Sequence, residues 1–281
     1  MVVKLNIPNL VENEEEFIEM VVSQRTREPN KTYFNQYKDT WKGRVKEYER
    51  EKGNPENIGN STEVEHKKKY INLYDSKDVS KCQTPIINSL RNREIQICPA
   101  CGEDGTPNTL DHYLPKDLFP EYSILSKNLF PMCDICQGKK STKVLNGEGE
   151  RIFLHPYYDD FLIDKSVKLD IGKPFNAPEY FVLSPSDELG VDETSLISQH
   201  MEELELNARF SKYFKDQYFR LLKLVKSMRE RELCVMTQID SFVLMANMKS
   251  VNSWEHIFYS GVRNNEELME YLVNGDMLEF R

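Results

Sequence analysis

Two cysteine pairs, Cys98-Pro-Ala-Cys101 and Cys133-Asp-Ile-Cys136, bracket thirty-one residues that include an Asp111-His112 dipeptide and Asn128. Two residues between the cysteines of a pair let one turn present both thiolates to one ion, and four such sulfurs make a tetrahedral zinc site. Two disulfides, or buried cysteines paired by chance, are the competing readings. Four of the six cysteines falling into two such pairs favours zinc. A zinc ion with four sulfur ligands has no open position, so any chemistry belongs to the residues it holds in place.

Those residues suit phosphodiester hydrolysis, which needs a base to activate water and a positive centre for the charge on the phosphorane and the departing oxygen. The imidazole of His112 titrates near neutral pH and can take a proton from water. The Asp111 carboxylate is a hard oxygen ligand for Mg²⁺ or Mn²⁺. Consecutive strand residues point to opposite faces, so a twist at the strand end has to bring both to one phosphate. An isolated Asp-His pair is more often an ordinary turn; the cysteine frame gives this one its chemical meaning.

The order Leu110-Asp111-His112-Tyr113-Leu114-Pro115, then Asn128-Leu129 ahead of Cys133, then Gln137-Gly138-Lys139-Lys140 behind Cys136 resembles the zinc-stapled HNH endonucleases. The resemblance covers roughly residues 95 to 145, about a sixth of the chain. It implies a ββα-metal module, in which a hairpin carries Asp111 and His112 and a following helix returns the last ligand to the catalytic metal. It further implies His112 as base, Asp111 as metal ligand, Asn128 as the residue that fixes the loop carrying His112, and products with 5′-phosphate and 3′-hydroxyl ends.

The family usually has His or Asn directly after the last cysteine. Here that position is Gln137, whose longer amide must fold back to reach a metal; His155 and Asp159 are the alternative ligands. Lys139, Lys140 and Lys143 are expected to clamp the phosphate backbone, with a solvated helix face as the other reading.

Elements that could position these groups follow from periodicity and punctuation. Strands are expected at 110–114 and 128–132, with a loop at 115–126 and a helix from 136 to 143. Asn13 caps a first helix through Val22, and Tyr33, Phe34, Tyr37, Trp41 and Val45 line one side of a second from 32 to 51. A third helix spans 63–74, after a loop at 53–62. Residues 165–170 and 180–183 alternate as a small hairpin, and the pattern turns helical from Ser195, including 242–248 and 266–273. From 206 to 231 eight basic side chains oppose two acidic ones, along a segment whose apolar positions recur at helical spacing.

The fold class expected is therefore α+β and mostly helical, with the HNH module and its four-cysteine zinc site embedded between helical segments. Its parts are a helical region at 1–94, the module at 95–146, and a mainly helical region with a small β element at 147–281.

Charge sets limits on partners. The chain of 281 residues has 37 Lys and Arg against 46 Asp and Glu, a net charge of −9. Even residues 91–151 hold eight basic and nine acidic side chains. A polyanion is gripped weakly by such a chain unless basic surface is concentrated locally or a partner protein supplies it. The expected partners are DNA and a second protein, and the build resembles bacterial HNH effectors of anti-phage systems that act with an ATPase. No glycine loop for nucleotide phosphates is present in the sequence, and no apolar run is long enough to cross a membrane. Cysteine usage that favours zinc over disulfides fits a reducing, cytoplasmic setting. An RNA-directed HNH nuclease and a non-catalytic zinc-binding interaction module remain the rival functions; oligomeric state is left open.

Overall fold

The computed structural model describes residues 1–277 and is α+β and mostly helical, with two small antiparallel sheets. The chain divides into two compact units, one made of residues 4–95 and 106–160, the other of residues 1–3, 96–105 and those from Phe161 on. No helix among the described residues is long and apolar enough to cross a membrane.

The unit of residues 4–95 and 106–160 opens with α1 (Glu14–Ser23), whose first-turn amides of Glu15 and Glu16 donate to the Asn13 side chain. Helix α2 (Asn30–Arg50) buries Phe34, Trp41, Val45 and Tyr48, spaced seven, four and three residues apart and thus along one face. A 3₁₀ turn at 64–66 leads into α3 (Lys67–Tyr74), and α4 (Gln83–Arg91) follows. Strands β1 (Thr109–His112) and β2 (Leu129–Met132) pair antiparallel, with Asp111 opposite Phe130 and His112 opposite Leu129. Helix α5 (Asp134–Lys140) comes directly after β2.

The connection from β1 to β2 runs from 113 to 128 and is ordered by the helices around it. Trp41 Nε1 donates to the Glu121 carbonyl at 2.7 Å, and the buried Glu121 carboxylate takes bonds from Arg44 Nε at 2.7 Å and Ser61 Oγ at 2.6 Å. A buried carboxylate is tolerated only when satisfied in this way.

In the other unit, β3 (Val167–Ile171) and β4 (Phe181–Pro185) form a second antiparallel pair. Five helices complete it: α6 (Val191–Glu203), α7 (Leu206–Glu230), α8 (Val235–Asn247), α9 (Trp254–Asn264) and α10 (Glu266–Asn274). Helix α7 buries Phe210, Phe214, Tyr218, Leu221, Leu222 and Val225 and leaves Lys212, Lys215, Arg220 and Lys223 exposed. Within this unit Gly261 of α9 lies so close to β3 that an added Cβ would stand 2.9 Å from that of Leu169, so the helix needs glycine there.

Candidate nuclease site and thiol cluster

The sulfurs of Cys98, Cys101, Cys133 and Cys136 all lie within 4.8 Å of one another, and none of the four is in a disulfide. Sulfurs about 2.3 Å from one tetrahedral ion stand about 3.8 Å apart, far beyond a covalent S–S bond. The four cysteines can therefore bind a metal such as zinc. Each pair is built by its own turn. The Gly102 amide donates to the Cys98 carbonyl at 2.7 Å with Gly102 at φ +77°, and any side chain there would collide with the Asn252 carbonyl, 2.4 Å from an ideal Cβ. Trp254 Nε1 donates to the Cys101 carbonyl at 2.7 Å and the Arg209 guanidinium lies 3.6 Å from the Cys101 sulfur, a charge that favours thiolate. Cys133 caps α5, its sulfur accepting the Cys136 amide at 3.5 Å.

Asp111 and His112 end β1 and are both buried. The Nε2 of His112 is 2.9 Å from the Ser123 carbonyl oxygen. A carbonyl only accepts, so Nε2 carries the proton and the lone pair resides on Nδ1. Ser123 is fixed in turn by its hydroxyl, which donates to the Tyr70 carbonyl of α3 at 3.2 Å. The imidazole packs edge-on against Tyr74, ring centroids 4.6 Å apart. Burial is the main cause that pulls the His112 pKa down to about 3, helped by the charges of Lys116, Lys140 and Arg91 and opposed by the Ser123 carbonyl. The ring is thus neutral at physiological pH.

Asn128 is wholly buried, and its amide closes the long connection. Its Oδ1 accepts the Leu114 amide at 2.8 Å, while Nδ2 donates to the carbonyls of Leu114 at 3.0 Å and Tyr122 at 3.2 Å. Behind it stand Tyr48, which no local pattern marked, and His155, expected as an alternative metal ligand. Tyr48 of α2 places its hydroxyl 3.1 Å from Asn128 Oδ1 and 3.1 Å from His155 Nε2. His155 Nδ1 accepts the Tyr157 amide at 3.1 Å, so Nε2–H donates to Tyr48, which can donate onward to Asn128.

Gln137 sits one turn into α5 with its Nε2 3.4 Å from Asp111 Oδ1. The alternative ligands are engaged elsewhere: His155 as just described, and Asp159 with Arg151 at 2.8 Å and the His155 amide at 2.6 Å. Of the three lysines expected at a phosphate, Lys143 is exposed and Lys139 is half-buried. Lys140 is instead only 2 % exposed, with Nζ 3.0 Å from Asp111 Oδ2 and 2.7 Å from the His112 carbonyl. Its aliphatic stem is buried while the ammonium closes on the end of β1. Asp111 Oδ2 is buried and accepts no hydrogen bond beyond that ion pair. Gln137 thus turns its Nε2 donor toward Asp111 Oδ1, while Lys140 faces Oδ2.

No protein-family model matches the chain, and no solved structure matches it. Among curated proteins it is similar to protein ea31 of Escherichia phage lambda, at 25 % identity over 226 residues covering 75 % of each chain.

Proposed function

We propose that this protein is a metal-dependent endonuclease of the HNH kind, cleaving DNA phosphodiester bonds at Asp111 and His112. The observation that carries the reading is the tautomer and support of His112: its Nε2–H is committed to Ser123, and Asn128 ties together the connection that holds Ser123. The free Nδ1 is then the acceptor for a proton from the attacking water. With its pKa held down by burial, the imidazole is neutral at physiological pH, so Nδ1 carries a lone pair and no proton.

Asp111 and Gln137 are the residues that would hold the catalytic Mg²⁺ or Mn²⁺, which supplies Lewis-acid stabilisation of charge on phosphorus oxygens and the leaving group. Lys140 keeps the Asp111 carboxylate in place and balances its charge. The four-cysteine cluster takes zinc in a structural role, supported by its closed sulfur donor set. The hairpin β1–β2 followed by α5 supports a ββα-metal arrangement, and products with 5′-phosphate and 3′-hydroxyl ends go with it. The similarity to a phage protein supports a setting among defence or mobile-element functions, with a partner protein, for which an ATPase is the proposal, supplying control.

The test is plasmid cleavage with Mg²⁺ or Mn²⁺ by the intact protein and by His112→Ala, with zinc content measured in both. Loss of cleavage in a zinc-replete variant supports the assignment. Equal cutting by both removes His112 from it, and cleavage of RNA alone makes the substrate RNA.

A further inference from the structure

A second set of cations flanks the Tyr74 ring that packs on His112, one of them from ahead of the first cysteine pair. The guanidinium of Arg91, the last residue of α4, lies 4.9 Å from the centroid of the Tyr74 ring, and the Lys116 ammonium, from the connection after β1, lies 4.5 Å from the same centroid. That ring is the one packed against His112 at 4.6 Å. Tyr74 is itself anchored, its hydroxyl donating to the Leu110 carbonyl at 3.1 Å. Arg91 is exposed and Lys116 half-buried, and neither forms an ion pair with a carboxylate among the described residues.

Arg91 and Lys116 at the Tyr74 ring and the buried Lys140 at Asp111 thus gather three cations around the end of β1, where Asp75 and Asp111 are the carboxylates that act on that ring. A local surplus of positive charge in a chain of net charge −9 is an arrangement with a counterpart. Lys140 is spent on Asp111, whereas Arg91 and Lys116 form no ion pair with a carboxylate among the described residues. Cation–π contact holds the Lys116 head group at the ring, and Arg91 is held there both by the ring and by a hydrogen bond to the Tyr74 hydroxyl, which uses one of the five guanidinium donors. A guanidinium fork beside an ammonium point charge is chemistry that fits a phosphodiester, the fork taking two oxygens and the ammonium one.

We propose that Arg91 and Lys116, seated on Tyr74, form the phosphate clamp that presents a nucleic-acid phosphodiester to His112. The clamp rests on the nuclease reading for its purpose, but its binding is measurable without cleavage. It places substrate recognition partly on α4, ahead of the first cysteine pair.

The experiment is equilibrium binding of a 30-base-pair DNA duplex, and of a single-stranded RNA of equal length, across a salt series without added divalent metal. The proteins are wild type, Arg91→Met/Lys116→Met, Arg91→Lys, and a control, Lys31→Gln/Lys77→Gln, that removes two exposed charges elsewhere in the same unit. The clamp predicts that the double variant loses about 0.9 from the salt slope per contact removed and binds about tenfold more weakly near 0.1 M salt. Arg91→Lys keeps the slope, the control behaves as wild type, and the urea midpoint of each variant reports that it folds. In cleavage the double variant raises KM far more than it lowers kcat.

Unchanged binding in the double variant, an equal loss in the control, or no salt-dependent binding by wild type overturns the clamp. The RNA arm decides which polymer supplies the phosphate. If the double variant loses binding while no protein cleaves, the clamp stands and the nuclease reading falls. If His112→Ala abolishes cleavage while the double variant binds and cuts as wild type, the clamp alone falls.

Discussion

The ammonium of Lys140 lies 3.0 Å from Oδ2 of Asp111, both residues being buried. A buried pair of this kind is costly to break from one side, because the remaining charge has nowhere to go. Lys140→Met is expected to destabilise the protein by about 3–5 kcal/mol, and Lys140→Met/Asp111→Asn by less than either single change predicts. Urea unfolding of the four proteins closes the double-mutant cycle; additive losses would show that the two groups do not act as a pair.

The thiol cluster gives a prediction in metal content. Cys136→Ser removes one of four mutually close sulfurs, and the purified variant is expected to hold well under about one zinc ion per chain where the parent holds about one. Elemental analysis by mass spectrometry reads the result directly. Retention of a full equivalent would mean that the metal, if bound, is held by other groups.

Stability should fall as solutions become acidic. In the unit of residues 4–95 and 106–160, burial depresses His112 to about 3 and pulls His155 well below its ordinary value. Both stay neutral when folded, so the stability they contribute is complete above pH 6.5 and is lost as pH falls below it, at about 1.4 kcal/mol per unit for each. Glu14 works the other way, since burial raises it to about 7 and its carboxylate, 3.7 Å from Lys127, accepts no hydrogen bond. Its penalty, absent below pH 4.5, builds as pH rises to 7. Two histidines outweigh one glutamate, so unfolding free energy should drop from pH 6.5 to 5. A flat profile over that interval would contradict the burial assigned to the imidazoles.

For the same reason Glu14→Gln should stabilise the protein at pH 8 by up to about 3 kcal/mol and have little effect at pH 4.5. Chemical denaturation at the two pH values measures the difference. A loss of stability at pH 8 would show that the attraction of Lys127 exceeds the cost of burial.

Asn128→Ala removes the amide that spans Leu114 and Tyr122, leaving a buried amide and two carbonyls without their partner. About 2–4 kcal/mol of stability should go with it. If the proposed role of His112 is right, cleavage falls by more than the folded fraction does. Activity tracking the folded fraction alone would reduce Asn128 to a structural residue.

Much of this architecture was legible because local signals agreed. Asn13 before three glutamates marks α1, the helical spacing of Phe34, Trp41 and Val45 marks the buried face of α2, and alternation marks β3 and β4. Helix α4 escaped notice because Pro85 lies inside its first turn and the helix is only nine residues long, and α9 because Gly261 interrupts its pattern for a packing reason visible only in three dimensions. At the site, residue types and spacing pointed to Asp111, His112, Asn128 and the cysteines. They could not show that Lys140 turns inward, nor that Tyr48, Arg91 and Lys116 gather near them, since those partners come from segments that nothing in the local pattern connects.

The chain passes between its two units at residues 3, 95, 105 and 160, and this imposes an order on synthesis. The decapeptide holding Cys98 and Cys101 leaves the ribosome long before Trp254 and His200, whose side chains bond the carbonyls of Cys101 and Ala100. At about 5–20 residues per second, that knuckle waits several seconds for its neighbours while the unit ending at Asp160 is already complete. A nascent chain stalled near residue 160 therefore carries an assembled hairpin and an unfinished first knuckle, and a gene split at that point would separate the decapeptide from the partners that fold it.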